Sequence, residues 1–123
     1  LVDEEEKLSE LDGAHVAQLF PHLNVLNIGD NLIEDWNAVV STFGELPALV
    51  KLQCSFANLT RIFYSPKKFE QLQVLWARNN KINSLDTFDE LNKFPKLSQL
   101  LIIENPLAKE YGEMTVRDLL IAK

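Results

Sequence analysis

Residues 72–82 read LQVLWARNNKI, and the same apolar spacing occurs four times in the chain. The shared pattern is L-x-x-L-x-L-x-x-N-x-L, with other small or branched apolar residues at some of the leucine positions. The remaining copies are LNVLNIGDNLI at 23–33, LVKLQCSFANL at 49–59 and LSQLLIIENPL at 97–107. The copies begin at Leu23, Leu49, Leu72 and Leu97, so they are 26, 23 and 25 residues apart. A period of this length predicts one structural unit for each copy.

The pattern is that of a leucine-rich repeat, in which each unit is a short strand followed by a return segment. Neither part can bury its apolar face alone, so the units must stack on one another. Side chains alternate across a strand, and the leucines therefore point inward while their neighbours point to the opposite face. We expect an α/β fold over residues 1–123. It would be a right-handed solenoid with a short-stranded parallel sheet on its concave face.

The recurrent asparagine of the pattern is expected to be structural. Asn31, Asn80 and Asn105 follow the strands, where an amide side chain can satisfy backbone groups that have left the ladder. The second repeat has Ala57 at this position, with Asn58 next to it. We expect the turn of that repeat to be looser than the others, or shifted by one residue.

The return segments carry helix signals. Asp12, Asp35, Asp86 and Thr115 are predicted helix N-caps, because each precedes apolar residues at helical spacing. The predicted inward-facing residues are Val16, Leu19 and Phe20 in the first helix, Trp36, Val39, Val40 and Phe43 in the second, Phe88, Leu91 and Phe94 in the third, and Leu119, Leu120 and Ile121 in the last. Gly44 is the predicted stop of the second helix. Residues 60–70, which contain Ser65-Pro66, are predicted to form a single helical turn.

The totals exclude several classes of protein. The formal net charge is −6, which argues against nucleic acid or an anionic membrane as a partner, because phosphate contacts need clustered cations. The single cysteine, Cys54, excludes an internal disulfide framework and is predicted to be a buried core thiol. No apolar run approaches the length of a membrane span, and no signal peptide is evident. We expect a piece of a larger protein, in which residues 1–10 are either a frayed tail or the end of a truncated preceding repeat.

The sequence gives no support for catalysis. His15 and His22 have no cysteine or carboxylate at a metal-ligand spacing, so no metal site is expected. The four glycines form no phosphate-binding loop, and no local signature of a nucleophile is present. We therefore expect no cofactor and no enzyme, but a protein-binding module.

The outward positions of the strands are the candidate protein-binding surface. Its central column is Asn27, Gln53, Trp76 and Leu101; the column before it is Val25, Lys51, Val74 and Gln99; the column after it is Gly29, Ser55, Arg78 and Ile103. The last two repeats present an aromatic and aliphatic patch, and exposed patches of this kind tend to mark interaction sites. The predicted binding residues are Trp76, Arg78, Leu101, Ile103, Gln53 and Lys51. Coverage of the patch by a neighbouring segment of a longer protein is the alternative.

The end of the sequence resembles a known family. The run Glu104-Asn105-Pro106-Leu107-Ala108-Lys109-Glu110 is followed by Glu113-Met114-Thr115-Val116-Arg117-Asp118-Leu119-Leu120-Ile121-Ala122-Lys123. This stretch is similar to the end of the leucine-rich domain of tubulin-folding cofactor E, where an N-P-L turn and an acidic spacer precede T-x-R-x-L-I-I-A. Val116 stands where that family often has alanine.

The resemblance implies a cytoplasmic, cytoskeleton-associated chaperone. Members of this family take up α-tubulin and, with other tubulin-folding cofactors, assemble or take apart the αβ heterodimer. Their leucine-rich domain lies between a CAP-Gly domain and a ubiquitin-like domain. The alternative function is a regulatory or scaffolding leucine-rich protein, of the phosphatase-targeting or axonemal dynein-associated type.

Overall fold

Each of the four repeats contributes one short strand to a parallel sheet. A computed structural model describes residues 13–107, and within this range the strands are β1 (Val25–Asn27), β2 (Lys51–Gln53), β3 (Val74–Trp76) and β4 (Gln99–Leu101). The strands follow one another in the sheet in sequence order, and every neighbouring pair is parallel. The register aligns Leu26, Leu52, Leu75 and Leu100, which confirms the repeat register predicted from the leucine spacing.

The aligned leucines form the side of the core that the sheet contributes. Leu52 and Leu75 are fully buried, and Leu26 is 2% exposed. Leu100, in β4, is only partly buried. Cys54 and Ala77, at the next inward position, are also fully buried, as predicted for the cysteine. The core therefore lies between the sheet and the return segments.

Three helices lie in the return segments and the lead-in of the described range: α1 (Gly13–Leu19), α2 (Trp36–Phe43) and α3 (Asp86–Asn92). α2 has the predicted cap, since the Asp35 carboxylate accepts a hydrogen bond from the Asn37 backbone N–H at 2.9 Å. The predicted inward stripe of α2 is buried, and Gly44 ends the helix. Gly44 keeps a right-handed φ of −64°, so no left-handed turn requires glycine there. A Cβ atom would instead lie 2.5 Å from Val40 O and 3.0 Å from Lys68 Cδ.

The predictions for α1 and α3 were wrong in part. In α1, Val16 packs against the core, but Leu19 and Phe20 are 59% and 37% exposed. In α3, Asp86 is the first helical residue and not the N-cap, and the Ser84 hydroxyl oxygen accepts a hydrogen bond from its N–H at 3.3 Å. The inward stripe of α3 and Phe94 are buried as predicted. The predicted caps Asp12 and Thr115, residues 1–10 and the helix after Thr115 lie outside the described residues.

Residues 60–71 contain no helix, so the predicted helical turn was wrong. Pro66 has no N–H to donate, and Lys67 and Phe69 have φ values of 67° and 53°, which a right-handed helix excludes. Hydrogen bonds to neighbouring elements hold the segment instead. Trp36 Nε1 donates to Phe63 O at 2.9 Å, and Phe69 N donates to Gly44 O at 2.8 Å.

The buried asparagines connect one repeat to the one before it. Asn80 Oδ1 accepts from the backbone N–H groups of Ala57 and Leu59, both at 3.0 Å. Asn105 Oδ1 accepts from Asn80 N at 3.1 Å and from Ile82 N at 3.2 Å. The structural role predicted for these residues is confirmed, and the contacts reach further than the local turn.

The first two repeats lack this buried asparagine contact with the preceding repeat. Asn31 is exposed, although its amide still donates to Ile28 O and Gly29 O at 3.0 Å. Ala57 is 1% exposed and takes the buried asparagine position, so the turn is not shifted by one residue. In place of a side-chain oxygen, the Ala57 carbonyl accepts from Ile33 N at 3.3 Å and Glu34 N at 3.0 Å.

A left-handed residue precedes the asparagine position in every repeat. The four residues are Asp30, Phe56, Asn79 and Glu104, with φ between 51° and 60°. Short polar residues adopt this conformation at little cost, whereas Phe56 is a bulky residue in a region that sterics disfavour. The turns therefore share one backbone shape even where the sequence does not suit it.

Candidate protein-binding surface

The candidate site is the open face of the sheet, defined by the outward side chains of the four strands and the positions that follow them. These residues are Val25, Asn27, Gly29, Lys51, Gln53, Ser55, Val74, Trp76, Arg78, Gln99, Leu101 and Ile103. In β1, β2 and β3 the central residue is buried and its two neighbours are half-buried or exposed. The alternation predicted from the sequence is therefore present, and the predicted binding residues share one face.

Trp76 lies at the centre of the apolar part of this face. It pairs in register with Gln53 on one side and with Leu101 on the other. Trp76, Leu101 and Ile103 are all half-buried. Lys51 Nζ lies 3.5 Å from the centroid of the Trp76 ring, within the range of a cation–π interaction. The ammonium group therefore lies over one face of the Trp76 ring.

Arg78 is already paired within the protein. Its Nε donates to Glu104 Oε2 at 3.1 Å and its Nη2 donates to Glu104 Oε1 at 2.9 Å. Asn79 Nδ2 also donates to Oε2, at 3.2 Å. These hydrogen bonds, and then the charge of Glu104, raise the pKa of the Arg78 guanidinium. Both side chains are more than 40% exposed, so the pair adds little stability.

The polar residues of the first two repeats bind the backbone of their own sheet. Gln53 Oε1 accepts from Ser55 N at 2.8 Å, and Asn27 Oδ1 accepts from Gly29 N at 2.9 Å. The Ser55 hydroxyl oxygen accepts from Arg78 N at 3.0 Å, and Ser55 is 5% exposed. Gln53 was predicted as a binding residue, and the structure gives its carbonyl oxygen a local role at the end of the strand.

Sequence reasoning missed two residues of this surface. Phe56 is 46% exposed, and Arg78 Cζ lies 5.9 Å from its ring, which extends the apolar patch beyond β2. Glu104 completes the ion pair of Arg78. Both residues lie at the left-handed position before the asparagine. The signal in the sequence was a phenylalanine where the other repeats have Asp30, Asn79 and Glu104.

The described range, residues 13–107, contains two histidines, His15 and His22, and one cysteine, Cys54. No cluster of three or more histidine, cysteine, aspartate or glutamate residues that could hold a metal ion occurs in that range. Burial raises the pKa of the Cys54 thiol to about 12, so it is protonated at neutral pH and is not a nucleophile there. None of the helices within this range is both long and apolar enough to cross a membrane.

Comparison with known proteins finds sequence relatives of two kinds. The chain is 33% identical over 116 residues to tubulin-folding cofactor E of Arabidopsis thaliana; the match covers 86% of the chain and 22% of that protein. Its sequence resembles that of a tubulin chaperone. Tubulin-specific chaperone E of Dictyostelium discoideum is 28% identical over 102 residues, which cover 72% of the chain and 19% of the relative. No family model matches the chain.

A second kind of relative carries a more general name. Leucine-rich repeat-containing protein 51 of Rattus norvegicus is 32% identical over 107 residues, covering 86% of the chain and 54% of that protein. The chain thus spans about a fifth of the length of the two tubulin chaperones and about half of this one. By their names, these relatives are two tubulin chaperones and one leucine-rich repeat-containing protein.

Proposed function

We propose that residues 1–123 form a leucine-rich repeat domain of a tubulin-folding chaperone, a non-enzymatic module that binds α-tubulin through its open face. In this proposal the repeats form a right-handed solenoid with the open face on its concave side. The module contributes to assembly or dissociation of the αβ heterodimer together with other tubulin-folding cofactors. Such a protein acts in the cytoplasm, in association with the cytoskeleton.

The observation that carries the proposal is the half-buried apolar cluster of the last two repeats. Trp76 and Leu101 are neighbours in register, and Ile103 follows at the end of β4. These side chains point away from the core, so folding alone does not require them to be apolar. A few side chains that a partner desolvates, with tryptophan prominent among them, supply most of the affinity of a typical interface.

The negative charge of the chain limits which region of tubulin the open face can contact. The chain has a net charge of −6, and tubulin is acidic, most strongly in its C-terminal tails. On the open face, Lys51 is stacked on Trp76 and Arg78 is paired with Glu104. Capture of an acidic tail is therefore disfavoured, and we infer that the apolar cluster contacts the folded body of α-tubulin.

A pull-down with purified tubulin tests the proposal. The immobilised chain should retain αβ-tubulin, and Trp76→Ala should lose most of it while its melting temperature stays close to that of the parent. The matched control is Leu85→Ala, because Leu85 is 51% exposed but lies at the start of α3, away from the strands. Equal retention by the parent and by Trp76→Ala would remove the open face from tubulin binding.

The second candidate function is that of a regulatory or scaffolding leucine-rich protein. The similarity to leucine-rich repeat-containing protein 51 favours it, because the chain spans more than twice as large a share of that protein as of the tubulin chaperones. The same open face would then bind a different protein. The pull-down distinguishes the two functions, because a folded parent chain that fails to retain tubulin supports the second.

A further inference from the structure

One serine in the chain is followed directly by proline. The five prolines follow Phe20, Leu46, Ser65, Phe94 and Asn105, so the sequence contains a single Ser/Thr-Pro step. That step continues as Ser65-Pro66-Lys67-Lys68, with a lysine three residues after the serine. Proline-directed serine/threonine kinases select a serine with proline next to it, and many of them favour a basic residue at this third position.

Ser65 is half-buried and begins a turn in the irregular return segment of the second repeat. Lys68 N donates to Ser65 O at 3.1 Å, which closes the turn, and Pro66 and Lys67 are exposed. Proline biases the residue before it towards extended backbone, the conformation in which kinases bind substrate segments. The segment contains no helix or strand, so entry into a kinase cleft requires the hydrogen bond from Lys68 N to Ser65 O to open but no regular element to unfold.

The residues on either side of the turn are held in place. Tyr64 N donates to Glu90 Oε1 of α3 at 3.1 Å, and Phe69 N donates to Gly44 O at the end of α2 at 2.8 Å. Phe69 is also buried against the core. The turn is therefore presented at a fixed place among the return segments, and a kinase can engage it without displacing a strand of the sheet.

The segment that contains the turn is basic, although the protein is acidic and Glu45 and Glu90 lie beside it. Residues 61–68 contain Arg61, Lys67 and Lys68 and no aspartate or glutamate. Lys68 Nζ lies 3.4 Å from Glu45 Oε1, with both side chains partly exposed. A phosphate beside these cations can form charge-assisted hydrogen bonds, and it would compete with Glu45 for Lys68.

We propose that Ser65 is a phosphorylation site for a proline-directed serine/threonine kinase. Ser65 Oγ attacks the γ-phosphorus of Mg-ATP, so an Oγ–P bond forms and the bond from the γ-phosphorus to the bridging oxygen breaks, releasing ADP. The hydroxyl proton passes to a carboxylate of the kinase and then to water. The product adds a charge of about −1.5 to −2 to the turn.

The test uses the full folded chain, a cyclin-dependent kinase with its cyclin, and Mg-ATP. Mass spectrometry should find one phosphate per chain, on Ser65, and none in Ser65→Ala. Ser65→Thr should restore the modification. Pro66→Ala, which keeps the serine, should lower the initial rate at least tenfold. Pro47→Ala is the matched control, because it removes a proline that follows leucine, and it should leave the rate unchanged.

Two results would overturn the proposal. A peptide of residues 60–71 that is phosphorylated while the folded chain is not would show that the turn is not presented to kinases. The second control is Leu75→Ala, which raises the unfolded population by removing a buried core side chain. An initial rate that rises in proportion to that population would assign the phosphate to the unfolded chain.

Discussion

At the scale of single residues, buried asparagine side chains accept hydrogen bonds from the backbone of the preceding repeat. Asn80 is 4% exposed, and its amide oxygen satisfies the N–H groups of Ala57 and Leu59. Asn80→Ala leaves both donors buried without that partner, so we expect a loss of about 2–4 kcal/mol in the free energy of unfolding, measured by urea denaturation. The matched control is Asn31→Ala, an exposed position, where about 1 kcal/mol or less is expected. Equal losses at the two positions would contradict the cross-repeat role.

The left-handed backbone of Phe56 predicts that glycine is more stable than alanine at this position. Its φ of 57° is disfavoured for any residue with a Cβ atom, and glycine relieves that cost. We expect Phe56→Gly to be more stable than Phe56→Ala by about 1 kcal/mol in urea denaturation, since both variants lose the same ring. If Phe56→Ala were the more stable of the two, the left-handed turn of the second repeat would be wrong.

The limits of sequence reasoning are also clear at this scale. The pattern was enough to assign Cys54 to the interior and a structural role to Asn80, because the repeat fixes which positions face the core and which follow the strand. It could not give the partners of Lys51 and Arg78, since the Trp76 ring and the Glu104 carboxylate belong to neighbouring repeats. Those contacts depend on the register between strands and on side-chain reach, which one repeat alone does not contain.

The strands were predicted more accurately than the return segments. Strand positions follow from a leucine spacing that only one register can bury. Return segments obey weaker local rules: two Phe-Pro steps in the sequence gave an exposed Phe20 and a buried Phe94. At residues 60–71, Pro66 and two left-handed residues prevent a helix, and only the proline could be read from the sequence.

Truncation of a strand leucine tests the stacking of the repeats. Leu75 is fully buried and aligned with Leu52 and Leu100, so Leu75→Ala should cost roughly 2–5 kcal/mol of unfolding free energy. Leu85→Ala, at a position that is 51% exposed, should change it by less than about 0.5 kcal/mol. An unchanged urea midpoint for Leu75→Ala would show that the register is wrong.

Glu90 connects α3 to the preceding return segment and gives a pH dependence. Its pKa is lowered chiefly by the hydrogen bond from Lys93 Nζ, 2.6 Å from Oε2, with a further contribution from Tyr64 N. A lowered folded-state pKa stabilises the protein above the unfolded pKa of about 4.3, and the effect disappears as the pH falls through the folded value. The parent should therefore be more stable than Glu90→Gln at pH 7, and the difference should shrink as the pH falls below about 4.3. A difference that grew in acid would contradict this assignment.

At the scale of the whole molecule, the described repeats separate two kinds of surface. Aromatic contacts connect the return segments of successive repeats, with ring centroids 5.6 Å apart for Trp36 and Phe69 and 6.4 Å apart for Phe69 and Phe94. The sheet carries the open face on its other side. Because the core holds the strands in one register, the apolar cluster on that face is arranged before any partner binds, which lowers the entropic cost of binding.

The affinity of the chain for αβ-tubulin tests the central claim most directly. A titration should give a dissociation constant that rises about 30-fold or more in Trp76→Ala and in Ile103→Asp, equivalent to about 2 kcal/mol or more. Leu85→Asp, a matched exposed leucine away from the open face, should bind like the parent, and all four proteins should show the same circular dichroism spectrum. Parent-like dissociation constants for both open-face variants would contradict the account and direct attention to the return segments.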